Sequence, residues 1–224
     1  AYELSRVTRM EHVNTTVVEK PQEGIAIVAD RIAKLINRRE ANGQKTVLSL
    51  ASGRSMRDLF VELVRLHKEE GLSFKNVVVF GSYEFYPLAD PSLGSMAQIQ
   101  SQLLDHIDIL PENVHTFPGD LPKETVFTFC EEYEKAIVEA GGIDIQVLGI
   151  GQCGNIAMNE PGTQPNSSTR LVIMDSNSRM DVKSLFGNVA QVPTCAITLG
   201  VGTILQAKEV ILLAFGQHNA GIVK

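Results

Sequence analysis

The sequence predicts an α/β fold: three layers, with a mostly parallel, Rossmann-like sheet covered by helices on both faces. Three observations predict it. Short runs such as Thr46–Ala51, Asn76–Phe80 and Ile143–Ile150 are apolar almost throughout, as strands buried on both faces are. Stretches of helical periodicity alternate with them. A glycine-rich segment follows the Ile143–Ile150 run, at the place where parallel sheets present their ligand loops.

Along the chain, Pro21–Ala41 places Ile25, Val28, Ile32, Leu35 and Ile36 on one helical face and is closed by Asn42-Gly43. Thr46–Ala51 reads as a strand and Ser52–Ser55 as a turn, with Ser55 the expected N-cap of a helix over Met56–Glu70. Asn76–Phe80 is a second strand. Residues ~93–106 and ~123–140 read as helical. Ile143–Ile150, Leu171–Met174, Ala196–Leu199 and Val210–Phe215 are further strand candidates. Ligands of such sheets sit beyond the carboxyl ends of the strands. Ser52–Ser55, Gly81–Leu88 and Gly151–Glu160 are therefore expected to line one cleft.

Composition bounds the function. The chain has 224 residues, 44% of them hydrophobic, enough to bury a sizeable core, and one α/β domain over 1–224 is expected. A net charge of −6 argues against a nucleic-acid surface. No run has the length of a membrane span, and Ala1–Arg6 lacks the pattern of a signal peptide. Cys130, Cys153 and Cys195 fit neither a zinc site nor a disulfide framework, which favours a reducing cytoplasm. The five histidines, His12, His67, His106, His115 and His218, show no metal-ligand spacing, so neither metal nor cofactor is expected.

The most informative segment is Leu148-Gly-Ile-Gly-Gln-Cys-Gly-Asn-Ile-Ala-Met-Asn-Glu160. Gly149, Gly151 and Gly154 allow a tight turn and close approach to a ligand. Together with Leu50-Ala-Ser-Gly-Arg-Ser55, Tyr83-Glu-Phe-Tyr-Pro-Leu88, Asp105–Asn113, Val192-Pro193 and Ala196–Leu205, it closely resembles the glucosamine-6-phosphate deaminase/isomerase family over nearly the whole chain. The resemblance implies a Rossmann-related sheet, a phosphorylated amino sugar as small-molecule partner, no redox cofactor, and a homo-oligomer. It implies conversion of glucosamine 6-phosphate to fructose 6-phosphate and ammonia. Members usually continue beyond the segment matching Ala214–Lys224 with a strand and helices, so the resemblance also implies an early end.

That chemistry needs a carboxylate to move a proton between two carbons, a histidine to open the ring, and donors for the phosphate. The resemblance places the proton-moving aspartate at Tyr83, a phenol with a pKa of about 10 against about 4 for a carboxylate. It places the ring-opening histidine at Asn155, whose amide does not titrate. An aspartate of many members corresponds to Cys153, a nucleophile if its thiolate were favoured and otherwise a small packed residue. Glu160 matches the glutamate that orients the histidine, and Glu84 matches a glutamate that is structural as readily as functional. Ser52, Gly53 and Ser55 match the phosphate loop, whose backbone amides bind an anion without basic help. Arg54 adds charge to that site, fills it, or is a solvated surface residue. A family lysine corresponds to Asn219, with His218 a weak substitute beside it. Arg170 matches a residue used for phosphate or effector binding in some members. Arg179 also matches by position and has no assigned role.

Three functions follow: a deaminase/isomerase or a relative with altered sugar-phosphate chemistry; a non-catalytic sugar-phosphate-binding regulator; or a lactonase-type hydrolase on the same scaffold, for which Glu84, Glu160 or a shifted histidine would have to activate water. A shared scaffold does not choose among them.

Overall fold

The computed structural model describes residues 13–223. In chain order the strands are β1 (Thr46–Leu50), β2 (Val77–Gly81), β3 (Tyr83–Tyr86), β4 (Val114–His115), β5 (Ile145–Gly149), β6 (Arg170–Ile173), β7 (Cys195–Thr198) and β8 (Glu209–Leu213). The α-helices are α1 (Pro21–Ala41), α2 (Arg54–Glu70), α3 (Ser95–Gln102), α4 (Val126–Glu139), α5 (Ser176–Phe186) and α6 (Val201–Leu205). A parallel sheet of order β4-β2-β1-β5-β8 forms the centre.

Strand geometry sends successive side chains to opposite faces, and both faces are covered. Leu48, Leu50, Val77, Val79, Ile145 and Val147 pack beneath Ile32 of α1, Leu59 and Leu63 of α2 and Ile99 of α3. Val47, Val78, Phe80 and Leu148 pack beneath Val126, Cys130, Tyr133 and Ile137 of α4 and Ile204 of α6. Helix α1 opens on Pro21, where a missing amide costs nothing, and ends at Asn42 as its sequence predicts.

The strand candidates near 171–174 and 196–199 form, but not in the parallel sheet. They become β6 and β7 of a second, antiparallel sheet of order β3-β7-β6. Its third strand, β3, lies within the expected loop Gly81–Leu88. Apolar runs reveal a strand but not its partner, and β3 exists because β7 supplies its ladder. Phe85, Met174, Val192, Ala196 and Phe186 of α5 make a separate small core there.

Two polar clusters brace the sheet. At its amino-terminal edge the buried Asp144 accepts Val47 N at 2.8 Å, Arg39 Nη2 at 2.5 Å and Lys208 Nζ at 2.7 Å, joining β1, α1 and the start of β8. At the carboxyl half Ser49, Ser82 and Gln146 are all fully enclosed. Gln146 Nε2 donates to Ser82 Oγ at 3.0 Å and Ser49 O at 3.3 Å, and the two serine hydroxyls lie 3.2 Å apart. Ser82 is also where the chain leaves one sheet for the other: its amide bonds Leu50 O and its carbonyl accepts Leu199 N. The next turn is held by Glu84, whose Oε1 accepts the amides of Phe85 (2.9 Å) and Ser95 (2.8 Å), and whose Oε2 accepts that of Met96 (2.9 Å). A carboxylate on the first amides of α3 complements the helix dipole.

No described helix is long and apolar enough to cross a membrane. Two stability predictions follow from the clusters. Ser82→Ala leaves the enclosed Ser49 hydroxyl without its side-chain partner and removes one acceptor of Gln146 Nε2, and should cost about 1–3 kcal/mol. Urea denaturation will show this as a lower midpoint at unchanged slope; an unchanged midpoint would mean the cluster holds nothing. Glu84→Gln turns an amide donor toward backbone amides that need an acceptor, and should cost a similar ~1–3 kcal/mol. Hydrogen exchange at Ser95 and Met96 should quicken in that variant, and equal protection would refute the capping role.

Candidate functional site

The three expected loops meet at the carboxyl edge of the parallel sheet, linked through β3 and β7. Ser52 Oγ and the Tyr83 hydroxyl are 2.8 Å apart. Tyr83 pairs with Thr198 in the ladder. Thr198 Oγ1 accepts Met158 N at 3.2 Å, and Asn159 Nδ2 donates to Leu199 O at 2.8 Å. The end of the Gly151–Glu160 loop is thus docked beside Tyr83, which itself reaches the loop after β1.

The loop after β1 departs from expectation in its cap. Gly53, not Ser55, is the N-cap of α2, and Ser55 lies inside the helix. Gly53 has φ +137°, a conformation that L side chains rarely adopt, with open space where a Cβ would stand. Among the described residues no side chain caps this helix start. The amides of Arg54 and Ser55 therefore lack an intrahelical partner, as first-turn amides do. The Arg54 side chain is exposed. It forms no ion pair with any described residue.

Tyr83 is half-buried and stacks edge-on against Phe85. Burial pushes its phenol above the ordinary value of 10.0, and the neighbouring Ser52 and Ser95 hydroxyls pull it back only in part. Ser95, which the sequence did not single out, is fully enclosed, and its Oγ has no hydrogen-bond partner. Only its place at the start of α3, beside Glu84, brings it here.

The remaining expected site residues are largely committed to the fold. Glu84 spends both oxygens on backbone amides; burial pushes its carboxyl up from the ordinary value while those amides pull it down. Glu160 turns toward α5, where its Oε1 accepts Ser178 Oγ at 2.6 Å and Asp175 N at 3.4 Å. Asn155 lies across its own turn: a Cβ added to Gly151 would collide with the Asn155 amide. The close approach that Gly151 permits is thus filled from within. Asn155 Nδ2 donates to Ala157 O at 3.2 Å, and its Oδ1 is enclosed without a partner. Gly154 has φ +83° and turns the same loop.

Cys153 is half-buried. Burial, then the carboxylates of Asp181, Glu160 and Asp175, push its thiol up, which opposes a thiolate nucleophile. Arg170 Nη1 donates to Asn159 Oδ1 at 2.9 Å, and burial lowers its pKa. Asn219 is buried and donates to Phe215 O at 2.8 Å, closing a turn. The His218 side chain and the whole of His12 lie outside the described residues. Arg179, left without a role above, is a latch: its Nη2 donates to Val189 O at 2.9 Å and Val192 O at 3.0 Å.

Two grooves are formed by the described residues. One of about 460 Å³ runs between α1 and the start of β8, lined by Ile27, Arg31, Lys34, Arg38 and Glu209. The other, about 330 Å³, lies over Glu84, Leu88, Met96 and Phe117. Neither is lined by Ser52–Ser55 or by Gly151–Glu160. Among the described residues no group of three or more His, Cys, Asp or Glu is placed to hold a metal ion.

Comparison with known proteins agrees with this architecture. The family described as glucosamine-6-phosphate isomerases/6-phosphogluconolactonase matches residues 19–224. A glucosamine-6-phosphate deaminase-like protein of Bacteroides thetaiotaomicron is 45% identical over all of this chain, which spans only 34% of that protein's length. The glucosamine-6-phosphate deaminase of Bacillus pumilus is 39% identical over 86% of this chain and 79% of its own. Among solved structures, a monomeric glucosamine-6-phosphate deaminase superposes with a TM-score of 0.87 at 30% identity, covering 94% of this chain and 86% of that one. The 6-phosphogluconolactonase of Trypanosoma brucei shares the fold, with a TM-score of 0.71 at 20% identity over 93% and 84% of the two chains. With the match extending over 206 residues and a fold superposing at a TM-score of 0.87, the chain belongs to the glucosamine-6-phosphate isomerase/6-phosphogluconolactonase family.

Proposed function

We propose that this chain binds a phosphorylated sugar through the loop after β1 and does not carry out the deaminase reaction at an ordinary rate. The observation that carries the reading is Tyr83. The position expected to hold a proton-moving carboxylate bears a phenol hydrogen-bonded to Ser52, with its ionisation pushed further from neutrality by burial. A neutral phenol does not take a proton from carbon at pH 7. Asn155 adds no titrating group, and Glu160 is turned to Ser178. Hydrolysis of a lactone would need a carboxylate free to deprotonate water, and both oxygens of Glu84 already accept amides.

Phosphate binding has different requirements. It rests on the uncapped amides at the start of α2, which favour an anion through their donors and the helix dipole. Arg54 at the same turn supplies a charge. These groups do not depend on a titrating side chain, so binding outlasts loss of the proton transfers.

Ammonia release from glucosamine 6-phosphate should be absent or far below the ~10 per second of an ordinary enzyme. Tyr83→Asp with Asn155→His should raise it, since each acid–base group contributes roughly 100- to 10,000-fold. Wild-type turnover at an ordinary rate would overturn this reading. Calorimetry should detect glucosamine 6-phosphate or fructose 6-phosphate but not unphosphorylated glucosamine. Gly53→Val, which forces a branched residue into φ +137°, should abolish that heat. Equal binding of the unphosphorylated sugar would exclude the loop as a phosphate site.

A further inference from the structure

Building on that reading of the loop, we propose that Tyr83 makes this a site for a phosphorylated sugar presenting a neutral hydroxyl, rather than an ammonium group, beside Ser52. Three hydroxyls gather there: Ser52 Oγ, the Tyr83 hydroxyl 2.8 Å away, and Ser95 Oγ near the same phenol. Ser95 is fully enclosed, and its hydroxyl, like that of Ser52, pulls on the Tyr83 phenol, so it supports the phenol from within the fold. Hydroxyls both donate and accept, which suits a sugar hydroxyl. An ammonium group only donates, and it needs an anionic acceptor once removed from water.

Among the described residues no such acceptor is free on this side. Position 83 is a phenol. Glu84 gives both oxygens to the amides of Phe85, Ser95 and Met96. The other carboxylates near the loops, Glu160, Asp175 and Asp181, gather around Cys153 against α5. There Asp175 caps the helix through Asn177 N at 2.8 Å, and Asp181 accepts Gln152 N at 3.0 Å. Ser52 directly precedes the positive start of α2 and the Arg54 guanidinium on its first residue, while the charge of Glu84 is felt at Tyr83 but is already bound to amides. Both positive groups attract a phosphate and repel an ammonium.

Calorimetry with glucose 6-phosphate and glucosamine 6-phosphate, which differ at one substituent, tests this on wild type, Tyr83→Phe and Tyr83→Asp. Wild type should bind glucose 6-phosphate as tightly as glucosamine 6-phosphate or more so. Tyr83→Asp should move the ratio toward glucosamine 6-phosphate by about tenfold, the scale of one charged hydrogen bond. Tyr83→Phe keeps the ring and should weaken glucose 6-phosphate severalfold without creating a preference for the amine. A tenfold or greater wild-type preference for glucosamine 6-phosphate overturns the inference alone, as does a ratio unmoved by both substitutions. Silence from both phosphorylated sugars overturns the phosphate reading, and this inference with it.

Discussion

The buried contact among Ser49, Ser82 and Gln146 is the constraint on which the working end of the molecule depends. These polar residues come from β1, from the joint after β2, and from β5, and all three are fully enclosed. Inside a low-dielectric core pairing spares such groups a desolvation cost, and here the two hydroxyls and Gln146 Nε2 are paired while Gln146 Oε1 is enclosed without a partner. Their contacts therefore tie β1, β5 and the joint after β2 to one another. Ser82 adds a directional element, since its backbone bonds Leu50 on one side and Leu199 on the other. From that joint the chain enters β3, and Tyr83 arrives within reach of Ser52.

Much of the polar equipment around the three loops serves the fold. Glu84 caps α3, Glu160 and Asp175 serve the start of α5, and Asn155 fills the hollow of its own turn. Arg170 holds Asn159, and Asn219 closes the turn after β8. Each partnership lowers the energy of the folded chain and takes a group away from proton transfer. The first amides of α2 are arranged differently. They are left without a side-chain cap, a state suited to an external anion.

This contrast separates two kinds of functional requirement. Moving a proton needs a titrating side chain at one place with a matched pKa, and one substitution removes it. Holding a phosphate needs donors that any backbone supplies at a helix start. The Tyr83 and Asn155 positions bear on the first requirement and leave the second standing.

By itself the sequence determined the alternation of strand and helix, because burial on both sheet faces demands apolar runs and a buried helix stripe demands its spacing. Pro21–Ala41 and the three central strands were legible for that reason. The residue types at Tyr83 and Asn155 were legible too, and a phenol or an amide cannot act as a carboxylate or an imidazole wherever it sits. Only the tertiary structure decided that β6 and β7 leave the parallel sheet to pair with β3, because an apolar run carries no record of its neighbour. Likewise only the structure decided that Gly53 caps α2, that Glu84 is spent on amides, and that Ser95 is fully enclosed at the start of α3. Hydrogen-bond partners distant in sequence are chosen by packing, and packing exists only once the chain has folded.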